Sequence, residues 1–594
     1  MDRLLLSGNE AIARGAWEAG VSFGVGYPGT PSTEVLEAFA RFEAVRAQWA
    51  PNEKVALEVA AGVSLGGVRV LCTMKHVGAN VAADPLMTLS YTGVGGGLVV
   101  LIADDPGMHS SQNEQDSRWW GPFAKVPVFE PSDSSECRAF VMEAFEVSER
   151  FDTPVILRSS TRVSHSKGLV EVGQRAEREV KAYATDFSKW VMLPGNAKRR
   201  RVGVEKRNEA LTEYAETTPL TTLSPGSAGS TPPVVTGGVA YQYVREVLPD
   251  SAVLKLALSW PLPERRLRDF SESNGTPAVV EELGPYLDLG VRALGVVTLP
   301  VAVSRLGELD PGALRVAFGV PEPETRVAFG DLPPRPPMLC PGCPHRGVFA
   351  TLRSMDAVVT GDIGCYTMGA LPPLSAMDTC VDMGASIGMG YGLAAAGSAG
   401  DRPIVEVIGD STFAHSGMGG LMHAAYNGGD ATIVILDNRT TAMTGHQGNP
   451  ISGRRLQVTE DGEAAQATGL DLEALARALG AVSVVTLNPS NLKRTEKVLR
   501  EEAARAGVSV VIARSPCILL ERRDGKTALS VDAEKCSCCD MCVQLGCPAI
   551  SKDPRTSRAT IDESLCVGCT LCVQVCRYGA IRPPAGRTAG EVTS

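Results

Sequence analysis

Two runs of cysteines near the C-terminus constrain the fold of this chain more than any other feature. The first run is Cys536, Cys539, Cys542 and Cys547, and the second is Cys566, Cys569, Cys572 and Cys576. Their spacings, C-x2-C-x2-C-x4-C and C-x2-C-x2-C-x3-C, are typical of the ligands of [4Fe–4S] clusters. Two zinc sites are the alternative, but zinc usually takes paired C-x2-C motifs or mixed Cys and His ligands, and no histidine follows His446.

The two runs resemble those of two-cluster ferredoxins, in which the fourth cysteine of each run binds the other cluster. The resemblance implies one [4Fe–4S] cluster on Cys536, Cys539, Cys542 and Cys576, and a second on Cys566, Cys569, Cys572 and Cys547. Cys538 lies between two of these ligands and is expected to be a bystander. We therefore predict a small ferredoxin-like α+β domain over residues 525–584 and a disordered tail over 585–594.

Charge and cysteine usage limit the partners and the compartment of the protein. The formal net charge is −10 and there is no long basic stretch, which argues against nucleic acid as a partner. The apolar runs in MDRLLLSGNE and GVGGGLVVLIA are too short for a signal peptide or a membrane span. Most of the 16 cysteines stand in motifs that need reduced thiolates, so we expect a cytoplasmic protein with no membrane partner.

The chain before the cysteine runs has the pattern of several α/β domains. Strand-like runs such as GLVVLIA and TPVILRSS alternate with helical stretches, among them 34–47 and 55–65. Charged and proline-rich segments separate these units, and we interpret them as exposed linkers. The predicted order is a first α/β domain, 1–180; a linker, 181–231; a second α/β domain, 232–320; a linker, 321–339; and a third α/β domain, 340–524.

Polar residues follow two successive strands of the third α/β domain. The strand PIVEVIGD ends in Gly409-Asp410-Ser411, and the next strand, ATIVILDN, ends in Asn438. A carboxylate and an amide at the carboxyl ends of adjacent parallel strands form a pocket of oxygen ligands suited to Mg²⁺ carrying a diphosphate. A glycine-rich turn before a helix is placed to approach such a cofactor closely. Its residues are Met383, Gly384, Ala385 and Ser386.

This pattern resembles the thiamine diphosphate motif, which is usually GDG followed by NN. The resemblance implies that Asp410 and Asn438 bind Mg²⁺ through their side chains and Thr440 through its carbonyl. It also implies that Gly409, Ser411 and Gly364 lie at the cofactor. Ser411 and Asp437 replace the commoner Gly and Asn, so the motif by itself is not decisive.

Two residues of the first domain are assigned to the site by resemblance. Thiamine enzymes carry a glutamate that activates the aminopyrimidine ring nine residues before a helical glycine, and Glu53 stands nine residues before Gly62, with Glu58 as its competitor. The segment YPGTPSTE, 27–34, resembles the Y-P-x-T-P loop of 2-oxoacid:ferredoxin oxidoreductases. That resemblance implies that Thr30 holds the substrate carboxylate, although the same residues also suit a β-turn in which Ser32 caps the next helix.

Over nearly its whole length the chain is similar to the α subunits of indolepyruvate:ferredoxin oxidoreductases. The likeness rests on YPGTPSTE, NEKVALE, CPGCPHR, GDIGCYTMG, GDSTFAHSG and both cysteine runs. It implies a pyrimidine-binding domain, a transketolase-C-like domain and a diphosphate-binding domain, in that order, before the ferredoxin-like domain. It further implies that an aryl 2-oxoacid, CoA and ferredoxin react, and that a separate β subunit completes a hetero-oligomer, for which we expect α2β2.

Other functions stay open on the sequence alone. The chain fits a pyruvate or 2-oxoglutarate oxidoreductase, a non-oxidative thiamine diphosphate decarboxylase or ligase, or a non-catalytic electron-transfer subunit. An acid or base cannot be chosen from the sequence among four histidines, His345, His415, His423 and His446.

Four further cysteines predict a third cluster inside the third α/β domain. Cys340 and Cys343 form a C-x2-C pair, Cys365 lies in GDIGC, and Cys517 follows a strand near the end of the domain. The arrangement resembles that of related oxidoreductases, which hold a [4Fe–4S] cluster beside thiamine diphosphate. Such a cluster would shorten the path of an electron to the ferredoxin-like domain. A zinc ion on the same cysteines, or core cysteines without a metal, are the alternatives.

Overall fold

The computed structural model of the protein describes residues 2–227, 231–323, 336–458, 464–520 and 528–582. The chain forms two compact units, the first comprising Met1–Phe329 and Leu456–Ala464, and the second Gly330–Arg455 and Ala465–Ser594. The predicted tail, 585–594, and most of the predicted linker 321–339 lie outside the described residues. Within the described ranges, no helix has the length and apolar character needed to cross a membrane.

The first unit is built on a seven-stranded sheet. Its strands in spatial order are Leu258–Trp260, Val128–Phe129, Val155–Ser160, Leu98–Asp104, Val70–Lys75, Phe23–Gly26 and Arg46–Trp49. All neighbours are parallel except Leu258–Trp260, which runs antiparallel to Val128–Phe129. The strands predicted at GLVVLIA and TPVILRSS are confirmed, and both are fully buried, as strands covered by helices on both faces must be.

Helices cover both faces of this sheet. Val99 and Leu101 belong to one core, while Leu98, Val100 and Ile102 belong to another, which is the alternation expected of a strand. The helices are Gly8–Glu18, Thr33–Phe39, Glu53–Leu65, His76–Val81, Ala83–Thr92, Trp120–Ala124, Ser134–Phe151, Thr161–His165 and Phe187–Trp190. A separate antiparallel pair joins Asp2–Ser7 to Lys167–Val172.

The helix predicted over 34–47 is shorter than expected. It runs over Thr33–Phe39, and the chain then passes through Ala44, whose φ is +58°, into the strand Arg46–Trp49. That strand pairs with Phe23–Gly26. The prediction is wrong beyond Phe39 because strand pairing overrides the helix propensity of these residues. The other predicted helix, 55–65, is confirmed, and it begins at Glu53.

A four-stranded sheet follows in the same unit. Its strands in spatial order are Ala278–Val280, Val234–Gly237, Val253–Leu256 and Thr222–Ser224, and only the last is antiparallel to its neighbour. Its helices are Ala240–Val247, Glu264–Asn274, Tyr286–Ala293 and Pro311–Phe318. This is the α/β organisation predicted for 232–320, except that Leu258–Trp260 leaves this region and joins the seven-stranded sheet.

The prediction of an exposed linker over 181–231 is wrong for much of that segment. Pro194–Thr217 forms a long helix that buries Val204, Leu211 and Tyr214. Arg207 Nη2 donates to the Ser90 carbonyl at 2.8 Å, one of the carbonyls at the end of the helix Ala83–Thr92 that has no partner within that helix. Two of the charges that suggest solvent exposure in the sequence, those of Arg200 and Arg207, therefore cap a neighbouring helix.

The second unit contains a six-stranded parallel sheet. Its strands in spatial order are Thr379–Cys380, Val358–Gly361, Ile404–Gly409, Ala431–Asp437, Val508–Arg514 and Ser483–Leu487. The longer helices of this unit are His345–Ser354, Ala385–Ala396, Met418–Tyr426, Leu472–Ala478 and Leu492–Ala503. Short helical turns cover Cys365–Ala370, Asp410–Thr412 and Phe413–Gly417, and two further strands are Arg454–Val458 and Ala464–Gln466. The sequence predicts strands at Ile404 to Ile408, Ala431 to Leu436 and Val508 to Ala513, and all three are confirmed.

The end of the second unit is a small α+β domain, as predicted from the cysteine runs. Ser530–Val531 pairs with Ile581–Arg582, and Ile550–Lys552 pairs with Ala559–Ile561, both antiparallel. A turn over Val543–Leu545 and a short helix over Leu571–Val575 complete it. Its core contains few aliphatic side chains and includes cysteines of both runs. A fold with so little apolar core is one that depends on bound groups for stability.

Candidate functional site

Two residues of the second unit lie side by side at the carboxyl ends of neighbouring strands. Ile404–Gly409 and Ala431–Asp437 are adjacent and parallel, with Gly409 opposite Leu436. Asp410 and Asn438 follow these strands directly, and both are buried. The predicted adjacency of the two strands is therefore confirmed. An acid and an amide at one edge of a parallel sheet occupy the position where α/β folds bind ligands.

The carboxylate of Asp410 is buried with one oxygen unused. Its Oδ1 accepts a hydrogen bond from the Ser411 backbone N–H at 2.7 Å, whereas Oδ2 has no partner among the described residues. Burial, reinforced by the neighbouring Asp437, raises the pKa of Asp410 to about 8. A buried acid with a free oxygen is chemically suited to a divalent cation, which would replace the proton and complete the oxygen's coordination.

Asn438 connects this edge to one of the four candidate histidines. Its Oδ1 accepts from the Thr440 N–H at 3.2 Å, and its Nδ2 lies 3.4 Å from His345 Nε2. Burial lowers the pKa of His345 to about 4, so this imidazole is neutral at physiological pH. His423 is exposed and contacts Tyr391, away from this contact.

The glycine-rich turn before the helix Ala385–Ala396 is tightly constrained. Gly384 has φ of +95°, and a Cβ there would lie 2.0 Å from Ser416 Oγ, so only glycine fits. Ser386 Oγ donates to Asp362 Oδ2 at 2.7 Å. The Tyr366 hydroxyl donates to the other oxygen of the same carboxylate. This network ties the turn to the GDIGC segment.

Asp362 and Tyr366 were not singled out from the sequence. Burial raises the pKa of Asp362 to about 7, and the hydrogen bonds from Tyr366 and Ser386 oppose that shift. Tyr366 also fixes Gly364, where a Cβ would lie 2.3 Å from the tyrosine ring. An acid between two glycines and an aromatic residue four positions later was the available signal in the sequence.

Four cysteines from separate segments line one cavity of ≈ 210 Å³ beside His345 and Asn438. They are Cys340, Cys343, Cys365 and Cys517. Burial, reinforced by the neighbouring Cys365 and Cys340, raises the pKa of Cys343 to about 12. Burial likewise raises the pKa of Cys365 to about 11, with Cys517 and Cys340 adding to the effect. Deprotonation of these thiols therefore calls for a metal or another strong positive charge.

The cysteines of the ferredoxin-like domain form two further groups. One small cavity is lined by Cys536, Cys539, Cys542 and Cys576, which combines three residues of the first run with the last residue of the second. Burial raises the pKa of Cys572, and Cys569, Cys566, Cys547 and Cys542 add to that shift. The lining of the first cavity has the composition of one cluster of the crossed arrangement, and the assignment of the second cluster stays a prediction. Cys538 is exposed but borders the first cavity.

Glycines bring the cysteine loops of the third α/β domain and the ferredoxin-like domain into contact. A Cβ on Gly342, between Cys340 and Cys343, would lie 2.3 Å from Val567 Cγ2, between Cys566 and Cys569. Gly546 has φ of +65°, and a Cβ there would lie 2.9 Å from Pro373 Cδ. Within the described residues, no three His, Cys, Asp or Glu side chains converge to hold a single metal ion.

Glu53 and Glu58, the two candidate glutamates of the first unit, differ sharply in exposure. Glu53 is 6% exposed and packs against Gly78, where a Cβ would lie 2.5 Å from Glu53 Oε1. Glu58 is exposed and forms an ion pair with Lys54 on the same helix. The structure therefore separates a buried acid at a helix start from a solvated one.

Thr30 lies in a loop that its neighbours hold in place. Gly29 N–H donates to Thr33 Oγ1 at 2.9 Å, and Ser32 Oγ donates to the Gly29 carbonyl at 2.8 Å. Ser32 stands at the N-cap of the next helix but makes no side-chain cap hydrogen bond to it, so that part of the β-turn prediction is wrong. Thr30 itself is half-buried.

Lys75, a buried cation below this loop, was missed from the sequence. A Cβ on Gly29 would lie 3.0 Å from Lys75 Cβ, so the lysine stem packs against the loop. Lys75 Nζ donates to the Ser110 carbonyl at 2.8 Å. Burial lowers the pKa of Lys75 to about 8, and Asp105 opposes that shift. A lysine that ends a buried strand, followed by histidine and glycine, was the signal available in the sequence.

Two family models match separate parts of the second unit. The model of the C-terminal TPP-binding domain of thiamine pyrophosphate enzymes matches residues 362–513, which include Asp362, Asp410 and Asn438. The model of a 4Fe-4S binding domain matches residues 559–582, which include the second cysteine run.

Known relatives match the chain from end to end. Indolepyruvate oxidoreductase subunit IorA of Archaeoglobus fulgidus is 40% identical over 98% of this chain and 98% of its own length. The subunit of the same name from Methanothermobacter marburgensis is 39% identical over 99% of this chain and 98% of its own length. 2-Oxoglutarate synthase subunit KorA of the latter organism is 28% identical, but over only 30% of this chain and 49% of its own length.

Proposed function

The chain belongs to the family of indolepyruvate oxidoreductase subunit IorA, and on that premise we propose that it is the catalytic subunit of a 2-oxoacid:ferredoxin oxidoreductase. The reaction converts an aryl 2-oxoacid such as indolepyruvate, with CoA, into an acyl-CoA and CO₂, and two electrons pass singly to ferredoxin. The observation that carries the proposal is the buried Asp410 and Asn438 pair beside a cavity lined by four cysteines.

In this proposal the second unit holds Mg²⁺ and the diphosphate of thiamine diphosphate. Asp410 Oδ2, which has no partner among the described residues, and Asn438 supply side-chain oxygens, and Thr440 supplies its carbonyl. The turn at Gly384 brings backbone close to the cofactor because no side chain fits there. When bound, thiamine diphosphate supplies the electron sink that lets a 2-oxoacid lose CO₂.

The first unit contributes the activating acid and the substrate contacts. Glu53, rather than the solvated Glu58, holds a proton for the aminopyrimidine ring. The Thr30 hydroxyl donates to the carboxylate of the 2-oxoacid. Lys75, buried under the same loop, supplies a positive charge for the substrate carboxylate, which the Thr30 hydroxyl cannot supply.

Three cysteine groups form the proposed electron path. Cys340, Cys343, Cys365 and Cys517 hold one [4Fe–4S] cluster, and the two groups of the ferredoxin-like domain hold one each. The contact between Gly342 and Val567 supports transfer from the first group to the group of Cys547, Cys566, Cys569 and Cys572. The group of Cys536, Cys539, Cys542 and Cys576 then faces external ferredoxin.

We further propose a separate β subunit, an α2β2 assembly and a cytoplasmic location. The subunit and the assembly are supported by the likeness of the whole chain to proteins that are named as subunits. The location is supported by the free cysteines. The pyruvate and 2-oxoglutarate alternatives are less well supported, because the similarity to the KorA subunit covers only 30% of the chain.

The test is an anaerobic assay of the chain produced together with its β subunit. Viologen reduction and CO₂ release are measured with indolepyruvate, phenylpyruvate, pyruvate and 2-oxoglutarate, each with and without CoA. We expect CoA-dependent dye reduction that is fastest with the aryl acids. Dye reduction that is fastest with pyruvate or 2-oxoglutarate overturns the substrate assignment. CO₂ release without dye reduction overturns the oxidoreductase proposal in favour of a decarboxylase.

A further inference from the structure

Arg346 is a buried cation without a buried anion. Its side chain is only 1% exposed, and it is among the largest fully buried side chains of the protein. The guanidinium donates to three main-chain carbonyls, those of Leu339 at 2.8 Å, Cys340 at 3.0 Å and Leu545. Within the described residues no Asp or Glu pairs with it, and its Nε has no hydrogen-bond partner.

This arrangement is energetically unusual for a polypeptide alone. Transfer of an ion from water to a protein interior costs several kcal/mol, and carbonyl dipoles offset only part of that cost. Buried arginines are accordingly found with carboxylates or other anions. Two other buried arginines of this chain obey the rule, since Arg118 pairs with Asp116 and Arg158 pairs with Asp104. Arg207 is also buried and donates to three main-chain carbonyls, but the charge of Asp152 lies close enough to oppose the lowering of its pKa. Arg346 has no hydrogen bond or ion pair to a carboxylate among the described residues, so an anion that balances it would come from outside the described polypeptide.

Two cysteine groups surround Arg346. The Cys340 carbonyl belongs to the CPGC loop, and Leu545 lies between Cys542 and Cys547 in the ferredoxin-like domain. A Cβ on Gly546 would lie 3.5 Å from Arg346 Nη1.

We propose that Arg346 is a positioning residue whose fixed charge serves as the shared counter-ion of two [4Fe–4S] clusters, one on Cys340, Cys343, Cys365 and Cys517 and the other on Cys547, Cys566, Cys569 and Cys572. The inference rests on the clusters of the proposed function. A cluster bound by four thiolates is anionic and gains one further negative charge when it takes up an electron. A buried cation beside it therefore favours the reduced form and raises its reduction potential.

The same hydrogen bonds fix the geometry of the two loops. Arg346 joins carbonyls on both sides of the contact, so the charge and the spacing of the two clusters are set by one side chain. Lysine at this position retains the charge but cannot reach three carbonyls in a planar fork, and glutamine retains a donor but lacks the charge. The two substitutions therefore separate electrostatics from geometry.

Arg353 provides a matched control. It lies two helical turns further along the same helix, His345–Ser354, and donates to the Pro373 carbonyl, but its side chain is exposed. An exposed charge is screened by water and salt, so its loss changes a nearby reduction potential little. R353Q thus removes an arginine-to-carbonyl hydrogen bond of the same domain without removing a buried charge.

The experiment is an anaerobic redox titration of the full chain, reconstituted with iron and sulfide and followed by electron paramagnetic resonance. The parent, R346Q, R346K and R353Q proteins are compared after iron and acid-labile sulfide analysis. We expect about 12 irons per chain. In R346Q the reduction equilibrium constants of two clusters should fall roughly tenfold, about 59 mV for a one-electron couple. The third cluster should not change, and R346K and R353Q should titrate like the parent.

The outcomes separate this inference from the proposed function. A parent with about 8 irons lacks the inner cluster, which overturns the cluster assignment of the proposed function and this inference with it. A fully loaded R346Q protein with unchanged potentials overturns only the role of Arg346. An R346K protein that shifts as far as R346Q, or loss of iron from both variants, also overturns it, because geometry rather than charge is then what the clusters require. Loss of iron from R346Q alone, with R346K loaded at the parent potentials, supports the inference.

Discussion

The two largest sheets of this protein differ in how a buried carboxylate at the carboxyl ends of their parallel strands is hydrogen-bonded. On the seven-stranded sheet, Asp104 accepts from Arg158 Nε at 2.8 Å and from the Ser117 N–H at 3.0 Å. On the six-stranded sheet, Asp410 is equally buried, yet one of its oxygens has no partner among the described residues. The same residue type at equivalent places in similar folds is satisfied by the protein in one case and not in the other.

The difference shows how a site can be told from a structural ion pair. A carboxylate that the protein fully satisfies contributes to folding, and its loss leaves a buried charge unpaired. A carboxylate that the protein leaves unsatisfied costs stability in the absence of a ligand, and it is retained because a ligand completes it. Position matters as well, because Glu406 is also buried with an unpartnered oxygen but lies inside a strand rather than at its end.

The largest expected effect is on cofactor binding at Asp410. Asp410→Ala removes one oxygen ligand of the cation, so the affinities for Mg²⁺ and thiamine diphosphate should fall together. The decrease should exceed the roughly 10- to 100-fold that is typical when an outer-shell partner is removed. Asn438→Ala should behave in the same way. Calorimetric titration of thiamine diphosphate with Mg²⁺ measures this. Glu406→Gln is the control and should bind normally, and an Asp410→Ala protein that binds as tightly as its parent would falsify the assignment.

Glu53 should instead affect rate without affecting binding. Glu53→Gln keeps the shape of the side chain at its buried position against Gly78 but cannot hold the proton. We expect thiamine diphosphate to bind with near-parental affinity and the turnover number to fall by about 10²- to 10⁴-fold, the range for general acid–base groups. Steady-state kinetics and calorimetry on one preparation test both parts. Glu58→Gln is the matched control, and a loss of activity there with normal activity in Glu53→Gln would reverse the choice.

Two isosteric substitutions, one at Asp104 and one at Asp410, test the comparison through the free energy of unfolding. Asp104→Asn breaks a buried pair and should lower the free energy of unfolding of the first unit by about 3 kcal/mol, the lower end for such pairs because Arg158 keeps Glu130. Asp410→Asn should not destabilise the cofactor-free protein. The pKa of Asp410 is raised to about 8 in the folded state, so the folded protein loses stability as pH rises from about 4 to 8, and asparagine removes that loss.

Urea unfolding of the cofactor-free proteins at pH 6 and pH 8.5 decides between these expectations. The advantage of Asp410→Asn over the parent should grow with pH. An Asp410→Asn protein that is less stable than its parent at pH 8.5, together with a neutral Asp104→Asn, would mean that the two sheets do not differ as inferred.

The same contrast explains how much the sequence could predict. Asp410 and Asn438 could be assigned to neighbouring strand ends because each follows a continuous apolar run, and parallel strands end at one edge. The two cysteine runs could be recognised because the cysteines of each run are close in sequence, whereas their crossed grouping came from the resemblance to two-cluster ferredoxins. The helix predicted over 34–47 and the linker predicted over 181–231 failed because pairing at a sheet edge and capping of a distant helix are tertiary events.

The residues that sequence reasoning missed are those whose meaning depends on burial. Lys75 and Arg346 look like ordinary surface cations in the sequence, and only the structure shows that both are buried. Asp362 stands in the GDIGC motif, whose cysteine and glycines carry the sequence signal, whereas its hydrogen bonds to Tyr366 and Ser386 form only in the folded protein. Composition indicates which residues are charged, but not which charges the protein leaves uncompensated.

Lys75 extends the comparison to a cation on the first sheet. Lys75→Met should lower kcat/KM for the 2-oxoacid roughly 30-fold, or about 2 kcal/mol, because the substrate carboxylate loses a partly buried cationic partner. Burial lowers the pKa of Lys75 to about 8, opposed by Asp105, so the free enzyme loses this positive charge as pH rises through that value. The parental kcat/KM should therefore decline above pH 8 and the variant should lack that decline. Lys54→Met, at an exposed lysine paired with Glu58, should leave both unchanged.

The smallest expected effect is on KM, and it should distinguish Thr30 from Thr33 in the same loop. Thr33 Oγ1 already accepts from the Gly29 N–H at 2.9 Å and is buried, whereas Thr30 is half-buried. Thr30→Val should raise KM for the 2-oxoacid about tenfold, the loss of a hydrogen bond of about 1.5 kcal/mol to a charged group, with little change in the unfolding midpoint. Thr33→Val should do the reverse, because it removes a bond that holds the loop together. If both variants lose only stability, both threonines are structural and the carboxylate contact belongs to another residue. If Thr30→Val alone changes KM, then one hydroxyl of this loop serves the fold and the other the substrate, just as Asp104 serves the fold of one sheet and Asp410 a ligand at the other.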